Sequence, residues 1–199
     1  MAYIDKTAFE ARVTNNRFND LCNVAGLYQE SDAAADCSAG LLVVPSELAD
    51  CEGFTDVKNE NTYIFVAAAT TDVASQEIYA CNTYDTQLLG DGAGNQYFIG
   101  RRTLGLGVPA GRYGNFTKII FDGSHIYRFG EGNFTAELTT GDIYATIDDD
   151  GLLTATDTEP TDAGTAYFKV MGTGNFIEGA SASFGYVDLK ACRVLAAGE

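Results

Sequence analysis

The sequence predicts a mainly β protein, an antiparallel β-barrel or sandwich with an N-terminal α-helix. Three observations carry that expectation. Apolar and polar residues alternate with period two in at least four segments of the second half. Strand-length runs follow one another there with no helical pattern between them. Gly is abundant at 22 residues and Pro scarce at 3, which suits a chain of many tight turns.

Each element follows in chain order. Thr7-Ala8-Phe9-Glu10 has the pattern of a capping box, with Thr7 as N-cap and Glu10 at the third helical position. Phe18, Leu21, Cys22 and Ala25 then fall on one helical face, and Gly26 is a natural stop. A helix is predicted over about 8–25. Residues 27–61 read as irregular, broken by Pro45 and Gly53, with a short helix around Ser46–Cys51. The period changes at Asn61, so the chain is divided into an arm over 1–61 and an antiparallel β domain over 62–199.

Thr62–Ala68 has the length and apolar continuity of a buried strand, and Gln76–Asn82 is a second. Gln96–Arg101 follows a turn at Asp91–Asn95. Phe116–Phe121 and Ser124–Phe129 flank Asp122-Gly123, a strong hairpin signal. Four dry faces follow: Phe134, Ala136 and Leu138; Ile143, Ala145 and Ile147; Ala166, Phe168 and Val170; Val187, Leu189 and Ala191. Gly-Asn-Phe occurs at 114–116, 132–134 and 174–176, which reads as repeated turn chemistry.

Composition narrows function. The formal net charge is −16, from 28 acidic and 12 basic residues. Such a field repels nucleic acid and anionic membranes, so neither is an expected partner. No basic stretch leads into an apolar run at the start, and the longest apolar runs, Ala39–Pro45 and Tyr63–Ala69, are too short to cross a bilayer. Synthesis in a cytoplasm is expected. Cys22, Cys37, Cys51, Cys81 and Cys192 are odd in number and form no Cys-x-x-Cys pair, which reads as reduced thiols.

Candidate chemistry is thin. His125 is the one histidine, and no Gly-x-Ser-x-Gly elbow accompanies it. A single His without metal-spaced cysteines does not make a zinc site. Asp148-Asp149-Asp150-Gly151 places its acids side by side, whereas a calcium loop needs them at alternating positions. Gly100–Gly111 is Gly-rich but lacks the Gly-Lys-Ser/Thr of a phosphate loop. The expectation is therefore no enzyme, no catalytic residue, no cofactor and no metal.

One stretch resembles a known family. Gly141-Asp-Ile-Tyr-Ala-Thr-Ile-Asp-Asp-Asp-Gly-Leu-Leu-Thr-Ala155 is similar to the hairpin of capsid decoration proteins of tailed bacteriophages. That resemblance implies a virion structural protein, made in the host cytoplasm and bound in many copies to the outside of a phage head. Its partner would be the major capsid protein or another virion protein. The contact candidates are Phe9, Phe18 and Leu21 on the helix, and Arg101, Arg102 and Arg112 around the Gly-rich loop. A tail-tube or capsid-lining component, or a module binding a small ligand or carbohydrate, stays open as an alternative.

Overall fold

The computed structural model describes residue 7 and residues 9–11, 23–50, 58–82, 87–90, 96–99, 107–178 and 182–195. Strands dominate it. Six of them form one open sheet: β1 (Phe9–Ala11), β10 (Ile126–Gly130), β14 (Ala182–Arg193), β13 (Ala166–Glu178), β11 (Tyr144–Ile147) and β12 (Leu153–Thr156), in that spatial order and all antiparallel. A second sheet contains β3 (Ala33–Ala34), β2 (Asn23–Glu30), β5 (Lys58–Ala67), β4 (Leu42–Asp50), β6 (Tyr79–Asn82) and β9 (Gly114–Lys118). A separate ribbon pairs β7 (Gln87–Gly90) with β8 (Gln96–Ile99).

The second sheet closes on itself, because β9 pairs with β2 as well as with β6. The ring runs β2-β5-β4-β6-β9 and back to β2. An odd number of strands cannot close with every neighbour antiparallel, so one pair must run parallel. That pair is β2 with β5, Ala25 opposite Thr62 through Tyr28 opposite Phe65.

Period two then divides the ring's side chains between two cores. Tyr28, Val43, Phe65, Tyr79, Cys81 and Phe116 form one cluster. Phe65 stacks on Phe116 at 4.2 Å and meets Tyr79 edge-on at 5.3 Å. Their neighbours Leu42, Val44 and Ala80 belong instead to the larger cluster, with Phe9, Tyr127, Phe129, Phe168 and Leu189 of the open sheet. Ring and sheet thus share one dry interface. Asn133, 1% exposed, pins it: its amide nitrogen donates to Ala39 O at 2.7 Å, and its amide oxygen accepts from Gly130 N.

Several expectations are corrected. The helix expected over 8–25 is strand at both described ends, β1 and the start of β2; residues 12–22 lie outside the described residues. No capping box forms at Thr7 and Glu10. Glu10 lies in β1 with its carboxylate 3.8 Å from the Arg128 guanidinium. Gly26 does not end a helix. It sits in β2, where a Cβ would lie 2.4 Å from the Phe65 ring, so the closed ring demands its smallness.

The described residues of 27–61 lie largely in strands, and no helix covers Ser46–Asp50, which is strand; residues 51–57 lie outside the described residues. Pro45 enters β4 at a register shift opposite Phe65, one of the few places a sheet tolerates the missing N–H. The boundary expected at 61 falls inside β5, and the described strands before it belong to the ring and the open sheet.

Asp122-Gly123 is a turn, with Gly123 at φ +74°, but it does not make a hairpin. β9 pairs within the ring and β10 within the open sheet, so the turn is a crossover between them. The Tyr127 hydroxyl holds it, accepting from Ile120 N at 2.9 Å. Phe134–Leu138 forms no strand beyond a single bridge of Phe134 to Leu153. The dry faces of β11, β13 and β14 are as expected at Ala145, Ile147, Ala166, Phe168, Val187, Leu189 and Ala191, whereas Ile143 is 46% exposed.

Candidate functional site

His125 has both an acid and a hydroxyl beside it. Its Nδ1 lies 2.8 Å from Asp122 Oδ1 and 3.2 Å from Ser124 Oγ. A nucleophilic relay needs the acid on one ring nitrogen and the hydroxyl on the other. Here both approach Nδ1, and Ser124 Oγ itself donates to Asp122 Oδ2 at 2.7 Å. The set is a turn lock: Asp122 Oδ1 also accepts from the backbone N–H groups of Ser124 and His125. Burial disfavours the Asp122 carboxylate, but the bonds from His125 and Ser124 outweigh it and hold the group well below the usual carboxylate range.

The acids at 148–150 also act as braces. Asp148 Oδ1 accepts from Asp150 N at 3.0 Å and Leu152 N at 2.7 Å, which shapes the turn between β11 and β12. Asp149 accepts from both the backbone and the hydroxyl of Thr70, tying the turn to the ring's β5–β6 connection. Those bonds lower its pKa. Gly151 takes φ +72°, and its carbonyl accepts from Leu42 N at 2.9 Å; a Cβ there would lie 2.3 Å from Leu42 O. The turn therefore closes against the ring backbone.

On the opposite end of the open sheet, Glu159 accepts from Tyr167 at 2.6 Å and Tyr144 at 3.2 Å. The Tyr167 bond holds its carboxyl below the usual range, while burial first and Glu159 second push the Tyr167 hydroxyl up. This arrangement clamps the loop after β12 onto the face of β11 and β13.

An open cavity of about 520 Å³ lies beside β2 and β5, with Tyr28, Glu30 and Asp150 on its wall. The Tyr28 hydroxyl donates to Glu30 Oε1 at 3.0 Å, and burial, then that bond, raise its pKa. Ser31, on its wall, and Asp32 carry φ of +50° and +63°, the left-handed pair that a tight β2–β3 turn requires.

Two of the predicted contact residues, Phe9 and Arg112, are described. Phe9 is 1% exposed, stacked against Tyr127 at 5.9 Å and edge-on to Phe129 at 5.3 Å, so it is core and not surface. Arg112 is exposed on a turn closed by its own N–H to Pro109 O at 3.0 Å. Phe18, Leu21, Arg101 and Arg102 lie outside the described residues.

Sequence reasoning missed a polar centre at the root of β13 and β14. The Arg128 guanidinium is bidentate to Asp188, with both bonds at 2.8 Å, and lies 3.5 Å above the Tyr186 ring. Arg128 and Asp188 are cross-strand partners, as are Glu10 and Arg128. One basic residue thereby registers three strands. Only a known strand pairing could have found it, because the partners are 60 residues apart.

No protein-family model matches this chain, and neither does any curated protein or solved structure.

Proposed function

We propose that this chain is a virion structural protein that decorates or cements the outer surface of a phage capsid. It acts in many copies, with the major capsid protein or another virion protein as partner. The segment Gly141–Ala155 carries the reading. Its resemblance to capsid decoration proteins coincides with one hairpin unit, in which β11 and β12 pair in register and Asp148 and Gly151 set the turn. A lattice binder needs a stable body and a complementary patch, and the ring docked on an open sheet supplies the body. A net charge of −16 keeps free copies dispersed before assembly. We read the closed five-strand ladder as a small β-barrel.

The test is mass spectrometry and electron cryomicroscopy of purified particles. The expected result is the chain in stoichiometric amount on the outside of the head. Particles lacking it, or density for it only in the tail, would overturn the proposal. The cavity of about 520 Å³ beside Tyr28, Glu30 and Asp150 favours a second reading, a module for a small polar ligand. Saturable binding of an oligosaccharide in calorimetry, abolished by Tyr28→Ala, would replace the first reading with this one.

A further inference from the structure

Glu30 and Asp150 come together from distant parts of the chain. Glu30 ends β2, and Asp150 sits in the turn between β11 and β12. Both stand on the wall of the cavity of about 520 Å³, which has the size of a small-molecule site. Their charges converge on Tyr28. Burial first, then the bond to Glu30, then the charges of Glu30, Cys37 and Asp150 push its hydroxyl pKa up. The hydroxyl therefore keeps its proton and gives it to the bond with Glu30 Oε1.

Nothing on the wall answers these two carboxylates. Among the described residues no basic side chain lines the cavity, and neither Glu30 nor Asp150 has an ion-pair partner. Elsewhere Lys58, Lys118 and Arg128 each pair with an acid. Hydrogen bonding is equally one-sided. A carboxylate only accepts, and the Asp150 carboxylate and Glu30 Oε2 accept from no described residue. Against them the wall sets two side-chain donors, the Gln29 amide and the Ser31 hydroxyl. The acids are also held in advance. Left-handed Ser31 and Asp32 fix the turn beside Glu30, while Asp150 N donates to Asp148 Oδ1 and Asp149 is tied to Thr70. A preformed wall loses little entropy on binding.

We infer that this cavity binds an organic cation, an ammonium or guanidinium group on an aliphatic stem. Such a group carries only donors, which match Glu30 and Asp150, and its stem finds apolar wall at Val66. The net charge of −16 draws a cation in from a distance. A sugar, whose hydroxyls must also accept, meets few donors there. A free diamine and a Lys or Arg side chain of a partner protein share this chemistry. The inference rests on reading the cavity as a ligand site, and it names the charge of the ligand.

Calorimetry on the full chain at about 150 mM salt tests it with two probes, putrescine and the peptide acetyl-Gly-Arg-Gly-amide. Saturable binding of one molecule per chain is expected, with a dissociation constant below about 1 mM. E30Q combined with D150N should weaken it at least about tenfold, with unchanged far-UV circular dichroism. E137Q combined with D157N removes as much charge away from the cavity wall and should alter binding less than about twofold. Tighter binding of putrescine assigns the site to a free diamine, and tighter binding of the peptide to a partner's side chain. No saturable binding of either probe overturns the inference. So does a loss in E30Q/D150N no greater than in E137Q/D157N. Binding of a neutral oligosaccharide, lost in Tyr28→Ala, with neither cation bound, would overturn it and leave the cavity standing as a ligand site.

Discussion

Gly-Asn-Phe stands in the closed ring at 114–116 and in the β13–β14 ribbon at 174–176. In the ring Phe116 is 0% exposed and stacked on Phe65, and β9 has hydrogen-bonded neighbours on both sides. In the ribbon Asn175 is exposed, and among the described residues β13 there pairs with β14 alone. Three identical residues thus lead to a sealed element and an open one. The number of neighbouring strands decides burial, and neighbouring strands come from distant parts of the chain.

The sharpest way to break that contrast is to open the ring. Deleting residues 1–30 removes β1 and β2, and with β2 goes the strand that closes the ring from β5 to β9. The expected outcome is loss of cooperative unfolding and of the near-ultraviolet circular dichroism of buried tyrosine. A truncated chain that still melts in one sharp transition would mean that the ring is not a folding unit.

Single residues sharpen it further. Phe116→Ala empties the centre of a packed aromatic stack and should cost about 3–5 kcal/mol in urea unfolding. Thr173→Ala on the exposed ribbon should stay within about 0.5 kcal/mol. Equal losses at the two sites would show that the ribbon is as tightly held as the ring.

Much of the fold was legible in the sequence where one strand has one wet and one dry face. Ala145 and Ile147, Ala166 and Phe168, and Val187, Leu189 and Ala191 mark the face of the open sheet that meets the ring, while Tyr144 and Tyr167 on the other face are buried under the loop held by Glu159. The first half hid its strands for a physical reason. Leu42, Val43 and Val44 are all buried, since a ring strand faces its own interior on one side and the open sheet on the other, and this erases the alternation. Pro45 and Gly26 looked like breakers because a bulge and a close aromatic approach are tertiary events. Asp122-Gly123 announced a turn correctly, but a turn does not say which sheets its arms join. The polar clusters were equally opaque. His125, Asp122 and Ser124 read as separate residues, and Arg128 with Asp188 needs the register of β10 on β14.

Arg128 is the hinge of the comparison, since it holds the root of the ribbon to the body. It is 8% exposed, and Arg128→Ala leaves Asp188 and Glu10 without their shared cation. The expected loss is about 3 kcal/mol of stability. Hydrogen exchange should accelerate more in β14 around Val187 than in β9. Faster exchange spread evenly over both sheets would remove Arg128 from that anchoring role.

The smallest expected effect tests the crossover between the ring and the open sheet. Asp122 is 44% exposed in its side chain, so solvent screening limits its contribution to under about 1 kcal/mol. Its folded pKa lies below the unfolded value of about 4, so the stabilisation is complete above that value and fades as pH falls through it toward the folded one. Asp122→Asn keeps a side-chain oxygen for the backbone N–H groups of Ser124 and His125 but lacks the charge. The difference between wild type and variant therefore isolates the charge-dependent bonds to His125 and Ser124. Thermal midpoints measured from pH 7 down to pH 2 should favour the wild type at neutral pH and converge in acid. A gap that stays constant over the whole range would mean that the carboxylate charge plays no part in holding the turn, and that backbone geometry at Gly123 alone sets the crossover.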